Sequence, residues 1–131
     1  MTQSNLTLSI LPDTFAICRL DQDAQIPDWA LTGGVFSITR TRDELSIVRP
    51  QRNVPKETKC ERGWRCLKVE GPFDFSVTGI VASLAVPLAQ AGVSLFVIST
   101  YDTDYLMVKE ENLDQAILVL SEDGHKVTAD G

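Results

Sequence analysis

The residues of this chain that could do chemistry are few, and their spacing excludes most reactions. His125 is the single histidine, set in a polar tail between Gly124 and Lys126. A base there lacks a partner to orient it, so Cys–His and Ser–His nucleophilic catalysis is not expected. Cys18, Cys60 and Cys66 form no CxxC pair, and one histidine cannot complete a zinc set. Asp102 and Asp104 are two carboxylates close in sequence, but aspartates in turns mostly satisfy local backbone. Neither a Walker loop nor a GxGxxG loop occurs. The chain is expected to be non-catalytic, with no metal and no cofactor.

Two stretches are better suited to holding a small ligand than to transforming one. Gly71 to Ile80 joins a strand to the longest helical pattern in the chain. The first turn of a helix leaves backbone N–H groups unpaired, and together with the dipole these attract a carboxylate. Gly79 in that turn would let a ligand approach the backbone closely. A glycine that merely packs against a strand would look the same. The second stretch is Ser99, Thr100, Tyr101, Asp102, Thr103 and Asp104. Its hydroxyl, aromatic and carboxylate groups could grip a ligand's ammonium group and side chain. By itself the same composition also suits an ordinary hairpin turn.

The elements that must position these stretches follow from periodicity. Leu6 to Ile10 alternates as a strand, Pro12-Asp13 signals a turn, and Phe15 to Leu20 reads as a second strand. Only a turn or two of helix fits around Pro27 to Leu31. Val35 to Thr41 and Leu45 to Arg49 are strands about a turn near Arg42-Asp43. Pro50 to Gly63 is a polar connector with a short helical turn, and Trp64 to Val69 resumes strand character.

The long helix has Ser76 as its expected N-cap, a stripe of Ile80, Val81, Leu84, Leu88 and Ala91, and Gly92 at its end. Pro87 inside it predicts a bend near Ala85 to Pro87. Val93 to Ser99 and Asp104 to Lys109 are strands about a turn at Tyr101 to Thr103. The last helix starts near Glu110, with Glu110, Glu111 and Asp114 at the positive end of its dipole. Its buried stripe is Leu113, Ala116, Ile117 and Leu120, and a short strand around Lys126 to Thr128 closes the chain. This order predicts an α+β fold of ferredoxin-like βαββαβ type, with antiparallel strands covered by helices on one face.

Composition narrows the partners. The chain has 131 residues, 44% hydrophobic and 23% charged, which is ordinary for a globular protein. A formal net charge of -6 repels phosphate backbones and anionic lipids, so neither nucleic acid nor membrane is expected as a partner. Exposed stacking aromatics on a basic sheet, as RNA binding requires, are missing from the pattern. The longest mainly apolar run, Gly79 to Ala89, is about half the ~20 residues that span a bilayer. The N-terminus has no basic n-region, and the three cysteines have no framework spacing. A reducing, cytoplasmic location is expected.

The chain also carries an internal similarity. Phe36 to Val48 aligns without gaps on Phe96 to Val108, with Phe, Ile and the final Val coinciding. Any two amphipathic hairpins share some of this. Taken as a repeat, it predicts two copies of one unit, 1–62 and 63–131, the first with its helix reduced to the Pro27 region. The apolar sheet surface left bare there predicts a homodimer.

The run Thr78 to Ser94, followed by Ser99 to Val108, resembles the ACT-domain family. The likeness is to the branch of small bacterial ACT proteins and the animal cytosolic arginine sensors called CASTOR. It is strong over Trp64 to Leu120, and Pro87 falls in the family's PLA segment. The resemblance implies two tandem ACT-like units, the second complete and the first degenerate. It implies a regulatory, allosteric protein that binds an amino acid or similar small ligand. The ligand positions carried over by motif are Gly79, Ile80 and Val81 at the helix start, Thr100, Tyr101 and Asp104 in the hairpin, and Gly71 in the strand-end loop. The competing expectation is a dimerisation module with a vestigial pocket.

Overall fold

The computed structural model describes residues 5–35, 37–71, 73 and 78–129. The chain divides into two compact units, Met1–Pro12 with Arg65–Gly131 and Asp13–Trp64. The sequence reading instead put its boundary at 62 and 63, with the first twelve residues in the first unit.

The unit containing the C-terminus holds the βαββαβ run. Strand β4 (Cys60–Val69), of which the part from Arg65 belongs to this unit, leads to helix α1 (Ile80–Gln90), then β5 (Phe96–Ser99), β6 (Asp104–Lys109), α2 (Leu113–Glu122) and β7 (Lys126–Ala129). The first half of β1 (Thr7–Leu20) lies between β4 and β7, and the order is β7-β1-β4-β6-β5. β7 pairs parallel with β1 through Thr7 to Ile10, and β5 pairs antiparallel with β6. Leu6, Leu8, Leu67, Val69, Leu106 and Val108 form one side of the core. Ile80, Leu84 and Leu88 of α1, with Ala116 and Leu120 of α2, form the other. The stripe expected for α2 omitted Val119, which packs against this core alongside Leu113.

Both helices end in the same way. Val93 N–H donates to Leu88 O and Gly92 N–H to Ala89 O, with Gly92 at φ 78. His125 N–H donates to Leu120 O and Gly124 N–H to Ser121 O, with Gly124 at φ 95. Each is a Schellman motif, which needs a residue free to adopt positive φ. The start of α1 differs from expectation: Gly79, at φ 83, is the N-cap residue. Ser76 lies outside the described residues.

α1 continues through Pro87. Proline has no N–H to give the Ser83 carbonyl four residues back. His125 supplies the donor instead, with Nε2 3.3 Å from Ser83 O, while Leu6 N–H donates to His125 Nδ1 at 3.2 Å. These two bonds assign the neutral ring with its proton on Nε2. The ring is buried, and the polar residue read as a tail histidine is a structural link between β1, α1 and β7.

In the unit Asp13–Trp64, β3 (Leu45–Pro50) pairs antiparallel with β2 (Ser37–Arg40) and with β1 from Phe15 to Leu20. Single-turn 3-10 helices occupy Asp28–Ala30 and Gln51–Asn53. Ala16, Cys18, Leu45 and Ile47 form the core with Ala30 and Val54, and Ala24 and Trp29 pack against it. The sheet face expected to be bare is therefore covered from within the unit. Arg49 is fully buried, its guanidinium donating to the carbonyls of Thr32 and Gly33 and to Asn53. That anchors the loop after the first 3-10 turn.

Two expectations fail locally. β1 runs unbroken through Pro12-Asp13, because Leu11 to Thr14 fall between its pairings with β7 and β3. Proline is tolerated where no ladder partner waits for its N–H. β4 begins at Cys60, four residues before Trp64, within the segment read as connector.

The two hairpins share one turn. Thr41 and Glu44 exchange the same bonds as Thr100 and Thr103: N–H to O across the turn, hydroxyl to the same O, and the returning N–H to the threonine oxygen. The closing pairs are Arg40 with Leu45 and Ser99 with Asp104. The hairpins thus correspond one residue away from the gap-free alignment, and a one-residue slip exchanges the faces of a strand.

Candidate functional site

The start of α1 and the β5–β6 turn enclose a cleft of about 320 Å³. One wall is backbone and side chain of Gly79, Ile80, Val81 and Ala82; the facing wall runs from Ser99 to Asp104. Phe73 closes a third side. The first intrahelical bond of α1 is Ser83 N–H to Gly79 O, so the helix itself leaves the N–H groups of Ile80 to Ala82 unused. Gly79 provides no side chain to cap them.

The turn is held rigidly. Thr100 bonds to Thr103 as described above, and Thr103 Oγ1 donates to Val69 O at 2.6 Å in a buried position. Phe73 N–H donates to Asp102 O at 2.8 Å, tying the strand-end loop to the turn. Gly71 makes that approach possible. A Cβ there would lie 3.1 Å from Phe73 and 3.2 Å from Asp102 O. Asp104 is partly buried and accepts a hydrogen bond from Ser99 through Oδ1.

Of the residues named from sequence, Gly79, Ile80, Val81, Thr100, Tyr101 and Asp104 line this one cleft. Tyr101 is 79% exposed, a rim residue. Gly71 lies in a second recess of about 230 Å³ with Lys68, Tyr105, Thr100, Asp102 and Thr103. Leu67, Val69 and Leu106 face the helix-side core, so Lys68 and Tyr105 at alternate positions face the other way. The turn is the partition between the two recesses. Sequence reasoning missed Phe73 and Ala82; Phe73 stood inside the loop already singled out, but nothing in its spacing marked it.

Among the described residues no group of three or more His, Cys, Asp or Glu could hold a metal ion. Among the same residues no helix is long and apolar enough to cross a membrane.

A cleft between a helix start and a hairpin, on a largely antiparallel sheet with two helices, defines an α+β protein. The ACT-domain family model matches residues 59–122, and an N-terminal-domain model matches 13–57. Protein Atu0741 from Agobacterium tumefaciens is 40% identical, with a TM-score of 0.93 over 98% of this chain and 96% of that one. The rat "Cytosolic arginine sensor for mTORC1 subunit 1" is 40% identical over 110 residues, 72% of this chain and 33% of the sensor. The Clostridium acetobutylicum aspartate kinase shares the fold at 9% identity and TM-score 0.64, over 89% of this chain and 34% of that one. The chain belongs to the ACT-domain family and is related to these arginine sensors and to Atu0741. It spans about a fifth to a third of the length of the curated sensors it matches.

Proposed function

We propose that this protein is a non-catalytic, cytoplasmic regulator that binds a free amino acid in the α1–hairpin cleft. The observation that carries this is the meeting of opposite polarities: first-turn N–H groups of Ile80 to Ala82 on one wall and the Asp104 carboxylate on the other. A carboxylate suits the first wall and an ammonium group the second. The cleft of about 320 Å³ stands at the small end of ligand sites, which favours an amino acid over a nucleotide. Gly79, Ile80, Val81, Thr100, Tyr101 and Asp104 are the proposed contacts, with Gly71 supporting the hairpin behind them.

The same proposal takes the chain as two related ACT-like units in tandem, divided in sequence near residues 62 and 63. The shared threonine-anchored turn supports it. A homodimer is the proposed assembly; Leu31 at 54% exposure, with Ile26 and Val35 nearby in sequence, offers apolar surface for it.

The test is a thermal-shift screen of the twenty amino acids at millimolar concentration, since a ligand that binds only the folded state raises its stability. One or a few should raise Tm, and Asp104→Ala should erase the rise while keeping the fold. No shift from any amino acid, with a stable dimer in sedimentation, would leave the dimerisation-module reading in its place.

A further inference from the structure

Two of the three cysteines, far apart in sequence, come together in the unit Asp13–Trp64. β1 and β4 are neighbouring strands, and Arg19 N–H donates to Lys59 O at 3.0 Å. That bond sets the local register and makes Arg19 and Lys59 a hydrogen-bonded pair. The next residues along, Cys18 and Cys60, are then directly opposite at a non-hydrogen-bonded position, where side chains of an antiparallel pair approach most closely. Both thiols are free; Cys18 belongs to the core of this unit, and Cys60 packs against it. Cys18 is buried whereas Cys60 is partly exposed. The Cys18 thiol is pushed up to about 12, first by burial and then by the neighbouring Cys60.

We propose that Cys18 and Cys60 are a reversible redox-modification site, closing to a cross-strand disulfide when the protein meets a peroxide. Cys60, the partly exposed residue of the two, takes the oxidant first. As thiolate it attacks one peroxide oxygen, the O–O bond breaks, hydroxide leaves, and Cys60 becomes a sulfenic acid. Cys18 sulfur then attacks the Cys60 sulfur. The S–O bond breaks, and the hydroxyl group departs as water with the proton from Cys18. In sum two thiols and one hydrogen peroxide give one disulfide and two waters, with two electrons passing from sulfur to the peroxide. A dithiol reductant reverses the step by exchange. Cys66, buried in the other unit with no cysteine opposite, serves as an internal control.

The experiment treats the full chain with hydrogen peroxide, blocks remaining thiols and maps the peptides by mass spectrometry. The wild-type protein should lose two hydrogens, carry a bond between the peptides of Cys18 and Cys60, and keep Cys66 blocked as a thiol. Dithiothreitol should restore the original mass. Cys18→Ala should leave Cys60 trapped as its dimedone adduct, and Cys60→Ala should form no intramolecular disulfide. Because the wild-type map decides without any variant, misfolding of either variant does not rescue the idea. Oxidation of Cys66 ahead of Cys60, a Cys60 that stops at sulfinic acid with Cys18 untouched, or disulfides formed only between chains would each overturn it.

Discussion

At the scale of single residues, two polar side chains define how this protein holds itself together and what it can hold. His125 satisfies Leu6 N–H and the carbonyl that Pro87 orphans on Ser83. His125→Ala leaves both groups buried without partners and should cost about 1–3 kcal/mol in denaturant unfolding. In a Pro87→Ala background the restored N–H reaches Ser83 O, so the same histidine substitution should cost measurably less. A double-mutant cycle reads that coupling, and additivity would show that the histidine does not serve Pro87's vacancy. Asp104 offers the second test. Asp104→Asn keeps an acceptor for Ser99 and removes only the charge. Amino-acid affinity should fall by about tenfold or more, with Tm of the free protein little changed, as expected for losing one charge-assisted hydrogen bond.

Elements act on the site by bringing loops within reach. The strand-end loop touches the hairpin because Gly71 has no side chain, and α1 starts on a left-handed residue because Gly79 has none. Gly71→Ala should push Phe73 off Asp102 and weaken ligand binding in a calorimetric titration without unfolding the protein. Gly79→Ala forces a Cβ into positive φ and should cost about 1–2 kcal/mol of stability. Most of these elements were legible in advance. β6, the turn before it and α2 followed from alternation and from a 3.6-residue stripe, because each buries one face against one core. β1 was not, since a proline and an aspartate look like a turn unless the partners of each half are known. The missed residues at β4's start reflect the same limit: Cys60 to Gly63 form a strand because β1 is beside them.

For the whole molecule, charge and buried thiols govern the response to conditions. The unit carrying the cleft holds ten acidic and four basic residues, whereas the unit Asp13–Trp64 holds eight of each. Aspartate and glutamate should therefore give smaller thermal shifts than neutral or basic amino acids, with the gap narrowing as salt is added. Burial pushes the Cys66 thiol up to about 12, as it does Cys18, against an unfolded value of 9.0. A raised thiol pKa means the unfolded chain releases its protons first, so this contribution is complete below pH 9 and is lost as pH rises towards 12. Chemical denaturation should show stability falling across that window, and Cys66→Ala should flatten the fall.

The sequence by itself determined the ingredients: a glycine before an amphipathic helix, a hairpin of hydroxyls and carboxylates, and an acidic surface. These are local patterns, set by residues within a few positions of one another. Local patterns did not bring the helix start and the hairpin to one cleft; only the family resemblance implied it, and the tertiary structure brings it about, as it alone decided that Gly71 serves the partition behind it. It alone decided that His125 answers Pro87 across 38 residues of chain, counted between the two numbers, and that Cys18 meets Cys60. Each of those meetings depends on which strands become neighbours in the sheet, and the period of a single strand carries no record of its neighbour.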